Sequence, residues 1–571
     1  MLDDSDIDSL DGDEEDFSNV EELDEVESSH SDETGEIDER AEESDDTDDS
    51  EVEPVMKPSK KAVKIAKWSE NTEFAPQHAV QTGLPIASTV DKTTFKRIDF
   101  FEQYFDDSLF STIAECTNLR SIAEKGKSLD VTPTEMRIFV GICLAMGCLG
   151  YPRIRMFWEK KTAVPLIKDT MTRDRFYSIR SMLKVIDDNN VSEVQKQADR
   201  LWKIRPLLDK IRTTCRTLRD ESNVDDPKCV DEQIIPFTGK AQIRQHVKGK
   251  PHPTGLKMYV LSTPEGLALD FEIYQGKGTY ASTEKSYPQV GVAGLSVLQL
   301  TEKLGAGSSI KIDRYFTTMP LMDALLSLGI TASGPIMKNR LPKGHNLPDD
   351  KLMKERGSIA SVVREDGKVA LTKWKDNQAI VLVSTEFGPD PQGNCTRYSV
   401  KQKKHISIPC PKVVKEYNAN MGGVDLMDRM IGCYRIRART SRWTVRTIMH
   451  MCDFSIVNSW IEYRRIQQTL DETPQGLYAF RMQVAEMLID SEQPTSDSES
   501  DEEGPPLAAS VPSVKRRHMA AKHLPMMQDL KNAQRCRYKG CNKKSTIKCV
   551  QCEVFLCVKK NADCFYLFHT E

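Results

Sequence analysis

No stretch of this chain is apolar for long enough to cross a bilayer. The longest such run, Ile138 to Tyr151, falls short of the ~20 residues that a membrane-spanning helix needs and reads as a buried helix. The opening residues MLDDSDID hold neither a basic nor an apolar stretch, so no secretory signal is expected. No repeat of solenoid period recurs. Bases and large hydrophobes are nearly missing from the first 54 residues, where 27 acidic residues stand against one arginine. Such a segment cannot bury enough apolar surface to offset the entropy lost on folding, and disorder is expected there. These absences point to a soluble intracellular protein with no membrane partner.

What remains after the acidic stretch is basic. The whole chain carries a net charge of −7, so the part beyond Pro54 carries about +19. Such a body suits a polyanion, because each lysine or arginine that neutralises a phosphate releases condensed counterions. Nucleic acid is the expected partner. The run KPSKKAVKIAK at Lys57–Lys67 reads either as a nuclear import signal or as a solvated linker; the nucleus is the expected compartment.

Along the chain the hydrophobic period changes twice. From Lys92 to about Arg219 apolar residues recur at spacings of three and four, with Thr132 or Thr134 able to cap one helix and Thr172 another. Between Asp225 and Gly329, KCVDEQIIPF, GLKMYVLSTP, LALDFEIYQG and SSIKIDRYF read as strands and MPLMDALLSLG as a helix, giving an α/β core. A β-rich stretch with an Asp366-Gly367 turn follows, ending near Cys410. Helical pattern returns from Val424 to Val484, with Ile431, Trp443, Met449 and Trp460 to pack. An acidic Ser- and Pro-rich linker then precedes a cysteine cluster; its SDSESDEE places serines beside acids and reads as a phosphorylation target.

Three aspartates stand apart from ordinary surface charge. Asp231 lies inside the apolar strand CVDEQIIPF and Asp313 ends the strand SIKIDRYF; an isolated buried carboxylate is costly, so such groups pair or bind a cation. Asp425 follows the turn Met421-Gly422-Gly423, with Asp428 three residues on along the same helical face. If the two strands lie side by side, hard oxygen ligands converge on Mg²⁺ or Mn²⁺. Cations must surround such a centre before it admits phosphate, and Arg244, Lys248, Lys250, Lys257, Arg314, Arg435, Arg437, Arg439, Arg442 and Arg446 are the candidates for DNA backbone contacts. Trp443 reads as packing.

Of the fifteen cysteines, six crowd between Cys536 and Cys564. The pattern Cys536-x4-Cys541-x7-Cys549-x2-Cys552-x4-Cys557-x6-Cys564-x4-His569 lies in a segment with little apolar material for a core, where Zn²⁺ ligation supplies the missing stability. Seven ligands do not fill two tetrahedral sites. Either one site uses four of them, or a second borrows an eighth from His518, His523 or elsewhere.

The blocks DEQIIPFTGK, KIDRYFTT, YNANMGGVDLMDRM and ARTSRW, in this order and spacing, resemble the successive blocks of the piggyBac transposase family, over roughly residues 90 to 571. The resemblance implies a ribonuclease H-like catalytic core whose DDD triad falls on Asp231, Asp313 and Asp425, with Asp428 as an additional important aspartate. It further implies double-stranded DNA as substrate, with hairpin formation at transposon ends, integration at TTAA and seamless excision, and it implies a homodimer. The organisation expected on this basis is an acidic tail and basic linker over 1–85, a helical dimerisation and DNA-binding domain split between 86–228 and 430–488, and a catalytic core over 229–330 closed by 413–429. A β-rich insertion domain spans 331–412, a disordered linker 489–529 and a zinc-binding module 530–571. Two further readings stand beside the active transposase: a host-recruited descendant that binds DNA or chromatin without chemistry, and a zinc-module adaptor with a structural α/β body.

Overall fold

The computed structural model describes residues 66–76, 91–399, 402–437, 439–490, 523, 525–530, 532–558 and 563–570. The acidic tail, nearly all of the basic run at Lys57–Lys67, His518 and almost the whole of the linker lie outside them.

The main helices that open the folded body are α1 (Arg97–Glu102), α2 (Asp107–Lys125), α3 (Pro133–Leu149), α4 (Arg173–Met182) and α5 (Arg205–Glu221). Their ends follow from local chemistry. Asp106, Thr132 and Thr172 each accept a hydrogen bond from a first-turn backbone N–H of α2, α3 and α4, which satisfies a donor the helix itself leaves free. Thr132 rather than Thr134 is therefore the cap of α3. Gly126 and Gly150 end α2 and α3 at φ +67° and +64°, a left-handed turn that glycine adopts without strain.

The sheet begins with β1 (Trp68–Ser69) and continues through β2 (Lys228–Pro236), β3 (Arg244–His246), β4 (Thr254–Ser262), β5 (Ala268–Ile273), β6 (Ser309–Ile312), β7 (Thr331–Pro335), β8 (Ile359–Arg364), β9 (Ala370–Lys375) and β10 (Ala379–Ser384). These ten strands form one sheet in the order β1-β8-β9-β10-β7-β6-β2-β4-β3, with β5 also on β4. Only β2–β6 and β6–β7 run parallel; α6 (Val292–Thr301) precedes β6 and α7 (Met319–Ser327) crosses from β6 to β7. A boundary at 330/331 thus falls against a core strand, because Thr331–Pro335 completes a β-α-β unit. Most of the β-rich stretch beyond it extends the same sheet, with Leu382 of β10 opposite Pro335 of β7. The hairpin β11 (Gly393–Ser399) and β12 (Lys404–Cys410) forms its own two-stranded sheet.

Four helices follow: α8 (Lys412–Asn420), α9 (Gly423–Cys433), α10 (Trp443–Thr469) and α11 (Leu477–Ile489). Helices from both ends of the body pack as one layer, because α11 lies directly on α3. A Cβ at Gly141 would stand 2.8 Å from the Ala485 carbonyl oxygen, and one at Gly147 2.5 Å from that of Tyr434; side chains there would force the helices apart. Arg481 of α11 and Asp453 of α10 pair at 2.7 Å, each about 1% exposed. Arg481 Nε also donates to the Leu144 carbonyl at 3.2 Å, and Asp453 accepts the Ile436 N–H at 2.9 Å. A buried pair loses most when one partner is removed and the other charge is stranded. Arg481→Met should therefore lower stability by about 3–5 kcal/mol, read as a lower midpoint in denaturant unfolding; an unchanged midpoint would show the pair carries no such role.

Candidate active site and cysteine-rich module

Alternation along β2 puts Cys229, Asp231 and Gln233 on one face and Val230, Glu232 and Ile234 on the other. The first face receives α9. Its approach is set by Gly423, where a Cβ would lie 2.1 Å from the Thr263 carbonyl oxygen, 2.8 Å from Ser262 Oγ and 3.0 Å from Cys229 Sγ. A Cβ at Gly422 would meet nothing within 4 Å. The second glycine of Met421-Gly422-Gly423 is thus the one the packing requires, and it seats the first turn of α9 against β2 and β4. From that turn Asp425 and Asp428 project one behind the other.

Asp313 reaches the same place by strand pairing. Val230 of β2 is opposite Ile312 of β6 in a parallel ladder, so Asp231 and Asp313 occupy the next positions on neighbouring strands. The hydroxyl of Tyr417 on α8 feels all three acids: burial, then the charges of Asp313 and Asp231, with Cys229 and Asp425 adding to them, hold its pKa well above the usual phenol range. Tyr417 stands eight residues before Asp425, and no residue pattern marks it.

The charges at this point are unequal in number. Asp231 is 8% exposed; burial pushes its carboxyl up to about 8, against the pull of the Lys250 ammonium and with the push of Glu232 and Asp425. Lys250 Nζ donates to Asp425 Oδ1 at 3.2 Å. Although burial works against its charge, the carboxylates of Asp231, Asp425 and Glu232 hold the Lys250 ammonium above its ordinary value. Burial also raises the Asp428 carboxyl, opposed by Arg435 and Lys250; Arg435 stands 3.8 Å from Asp428. Asp270 on β5 offers a contrast. It is buried as deeply, yet Arg212, Arg216 and Arg219 of α5 approach it at 2.6, 2.9 and 3.5 Å, so it needs no other cation. The Asp231 cluster thus has more carboxyl groups than cations facing it.

The basic candidates divide. Arg244, Lys248, Arg314 and Arg439 are exposed, although Arg244 also donates to the Thr238 and Gly239 carbonyls at 2.8 and 2.9 Å. Lys250 lies in the carboxylate cluster. Lys257 is 7% exposed, its ammonium 4.1 Å from the Tyr315 ring centre and 5.0 Å from that of Tyr259, so its charge serves packing inside the protein. Arg442 donates to the Ser181 and Leu183 carbonyls and Arg446 to that of Pro236 at 2.8 Å, which ties α10 to its neighbours. Trp443 packs half-buried against the main core.

Among the described residues of the C-terminal module, eight candidate ligands fall into two groups of four. Cys536, Cys541, Cys557 and Cys564 form one group and His523, Cys549, Cys552 and His569 another, with the ligand atoms of each group within 4.8 Å of one another. His523 lies ahead of the boundary expected at 530. It belongs to the module because β13 (Pro525–Met527) pairs with β16 (Ile547–Cys549), while β14 (Gln534–Arg535) pairs with β15 (Lys544–Ser545). His569, on the closing helix α12 (Cys564–Thr570), donates from Nδ1 to the Phe565 carbonyl at 2.7 Å, leaving Nε2 to face Cys552 Sγ at 3.5 Å. Fixing the tautomer in this way orients an imidazole as a ligand. The two groups interleave in sequence, so each can hold one ion only when the other half of the module is in place.

A mixed sheet that gathers acids from two parallel strands and an incoming helix, enclosed by helices from both ends of the body, has the architecture of a DNA transposase. A cryo-EM structure of the piggyBac transposase synaptic complex with hairpin DNA matches the fold with a TM-score of 0.59 at 20% identity, over 83% of this chain and 97% of that one. The family model described as transposase IS4 matches residues 97–460. Human PiggyBac transposable element-derived protein 3 is 31% identical over 481 residues, 83% of this chain and 76% of that protein. Human PiggyBac transposable element-derived protein 2 is 27% identical over 450 residues, 78% and 74% of the two chains. The chain belongs to the piggyBac transposase family.

The packing at Gly423 yields a paired prediction. Gly423→Ala should clash with the Thr263 carbonyl and lower stability by about 1–3 kcal/mol, whereas Gly422→Ala should leave stability unchanged. Denaturant unfolding of the two variants would decide it, and equal midpoints would remove the role given to Gly423.

Proposed function

We propose that this chain is a DDD transposase that cleaves and transfers DNA strands at transposon ends and inserts them at TTAA. What supports the reading is that Asp231 and Asp313 follow paired positions on adjacent parallel strands, and that Asp231, Asp425 and Lys250 interact, with Asp428 one turn further along α9. Two Mg²⁺ or Mn²⁺ ions held by these carboxylates would supply activation of a water or 3′-hydroxyl and stabilisation of the leaving oxygen in an in-line displacement at phosphorus. Asp231 lies on a buried strand, Asp313 directly follows β6 and Asp425 stands in the first turn of α9, so regular elements carry the acids that would hold the ions. Lys250, paired with Asp425, is close enough to turn its ammonium toward a phosphate entering the site. The exposed Lys248 and Arg314, near Lys250 and Asp313 in the chain, and the exposed Arg439 suit backbone contacts to double-stranded DNA. The relative solved with hairpin DNA supports a hairpin at the cut end.

Nuclear localisation and a homodimer complete this reading. A second reading is favoured by the human relatives, which are named as transposable element-derived proteins: this chain would then bind DNA or chromatin without transposing. Excision of a reporter flanked by the element's terminal repeats separates the two. The intact chain should excise, and Asp231→Ala, Asp313→Ala and Asp425→Ala should each reduce excision to background. Equal excision by all four proteins would end the catalytic assignment. DNA binding without excision by the intact chain would favour the second reading.

The two His/Cys groups suit Zn²⁺, with soft thiolates and imidazoles in sets of four. Metal analysis of the full chain should find two zinc ions per chain, and His523→Ala should reduce the count toward one. Chelation should unfold the module, seen as loss of protection of its backbone amides from exchange; a module that keeps its protection without metal would overturn the assignment.

A further inference from the structure

Asp428 is approached from two sides. Arg435 and Lys250 face it from the site, and a hydrogen-bonded chain reaches it from behind. Gln233 Nε2 donates to Asp428 Oδ1 at 3.1 Å, and Gln233 Oε1 stands 3.2 Å from His450 Nε2. Gln233 is fully buried and His450 is 3% exposed. The amide nitrogen of Gln233 donates to Asp428, which leaves its amide oxygen to accept from His450. His450 therefore carries its proton on Nε2.

The other edge of the same ring has no such partner: His450 Nδ1 is buried without a hydrogen bond. Burial, with the charges of Arg435 and Arg446 adding to it, holds the imidazole neutral. An unpaired buried acceptor costs stability that an apolar side chain of similar size would not. Packing alone thus does not account for a histidine at this place on α10, whereas the Nε2–H toward Gln233 does. Gln233 shares the Asp231 face of β2, two residues on, so one strand carries both a site carboxylate and the group that orients another.

We infer that Gln233 and His450 are positioning residues that hold the Asp428 carboxyl aimed at the Asp231–Asp425 cluster. The long helix α10 is by this route wired into the site, since Arg446, one turn before His450, also holds the carbonyl that ends β2. The inference rests on the metal-binding reading of the cluster.

The test is Mn²⁺ binding to the full chain without DNA, by isothermal titration, for the unaltered chain, Asp231→Ala, Gln233→Leu, His450→Leu and His450→Gln. Gln233→Leu and His450→Leu should each weaken binding by about tenfold, the lower end of what removing a ligand's hydrogen-bond partner does. His450→Gln keeps a donor for Gln233 and should stay within about threefold of the unaltered chain. Circular dichroism checks that each variant folds. Affinity unchanged in the two leucine variants, or His450→Gln as weak as His450→Leu, would overturn the inference while leaving the metal site intact. If the unaltered chain binds no better than Asp231→Ala, the metal-site reading falls and this inference with it.

Discussion

Several carboxylates brought to one place repel each other, and the arrangement around them is the response of the fold to that repulsion. Asp231, Asp425 and Asp428 share the charge of one lysine and the nearby Arg435. Elsewhere on the same sheet, Asp270 is surrounded by three arginines of one helix, and the repulsion is settled within the protein. The difference separates a carboxylate that fastens a helix to a sheet from carboxylates left wanting a cation. Burial alone does not separate them, since both aspartates are almost inaccessible.

Holding that cluster requires rigid surroundings, and they come from far away in the chain. Gly423 allows α9 to sit on the backbone of β4 without a side chain between them. Beyond α9, the chain is caught three times by α10 and its neighbours: Asp453 takes the Ile436 N–H, Arg442 spans to carbonyls at the end of α4, and Arg446 reaches the end of β2. Between these anchors Arg437 and Arg439 remain exposed. Cationic side chains are thus presented on a segment whose base is fixed, which suits contact with a stiff polyanion.

The cysteine-rich module shows how little of a ligand set can be read without pairing. Seven ligands stand out by type and spacing, but His523 lies in a segment of linker-like composition, thirteen residues before Cys536. Only the pairing of Pro525–Met527 with Ile547–Cys549 carries it to Cys549 and Cys552. A small unit with so few apolar residues depends on ligation rather than burial, and interleaving makes its two halves depend on each other.

Local periodicity and capping chemistry determined the main strands and helices, the cap at Thr172, and the aspartates worth attention, because each of these depends on residues within a turn or a strand of one another. The ordered blocks around Asp231, Asp313 and Asp425 likewise sufficed to identify the family. What only the tertiary structure decided is which charges meet. Lys250 and Lys257 look alike in sequence, yet one lies among carboxylates and the other under two tyrosine rings. Tyr417, Gln233 and His450 carry no mark until β2, β6, α8, α9 and α10 converge. Strand register and helix seating are set by long-range packing, and a few ångströms there separate a solvated charge from a ligand.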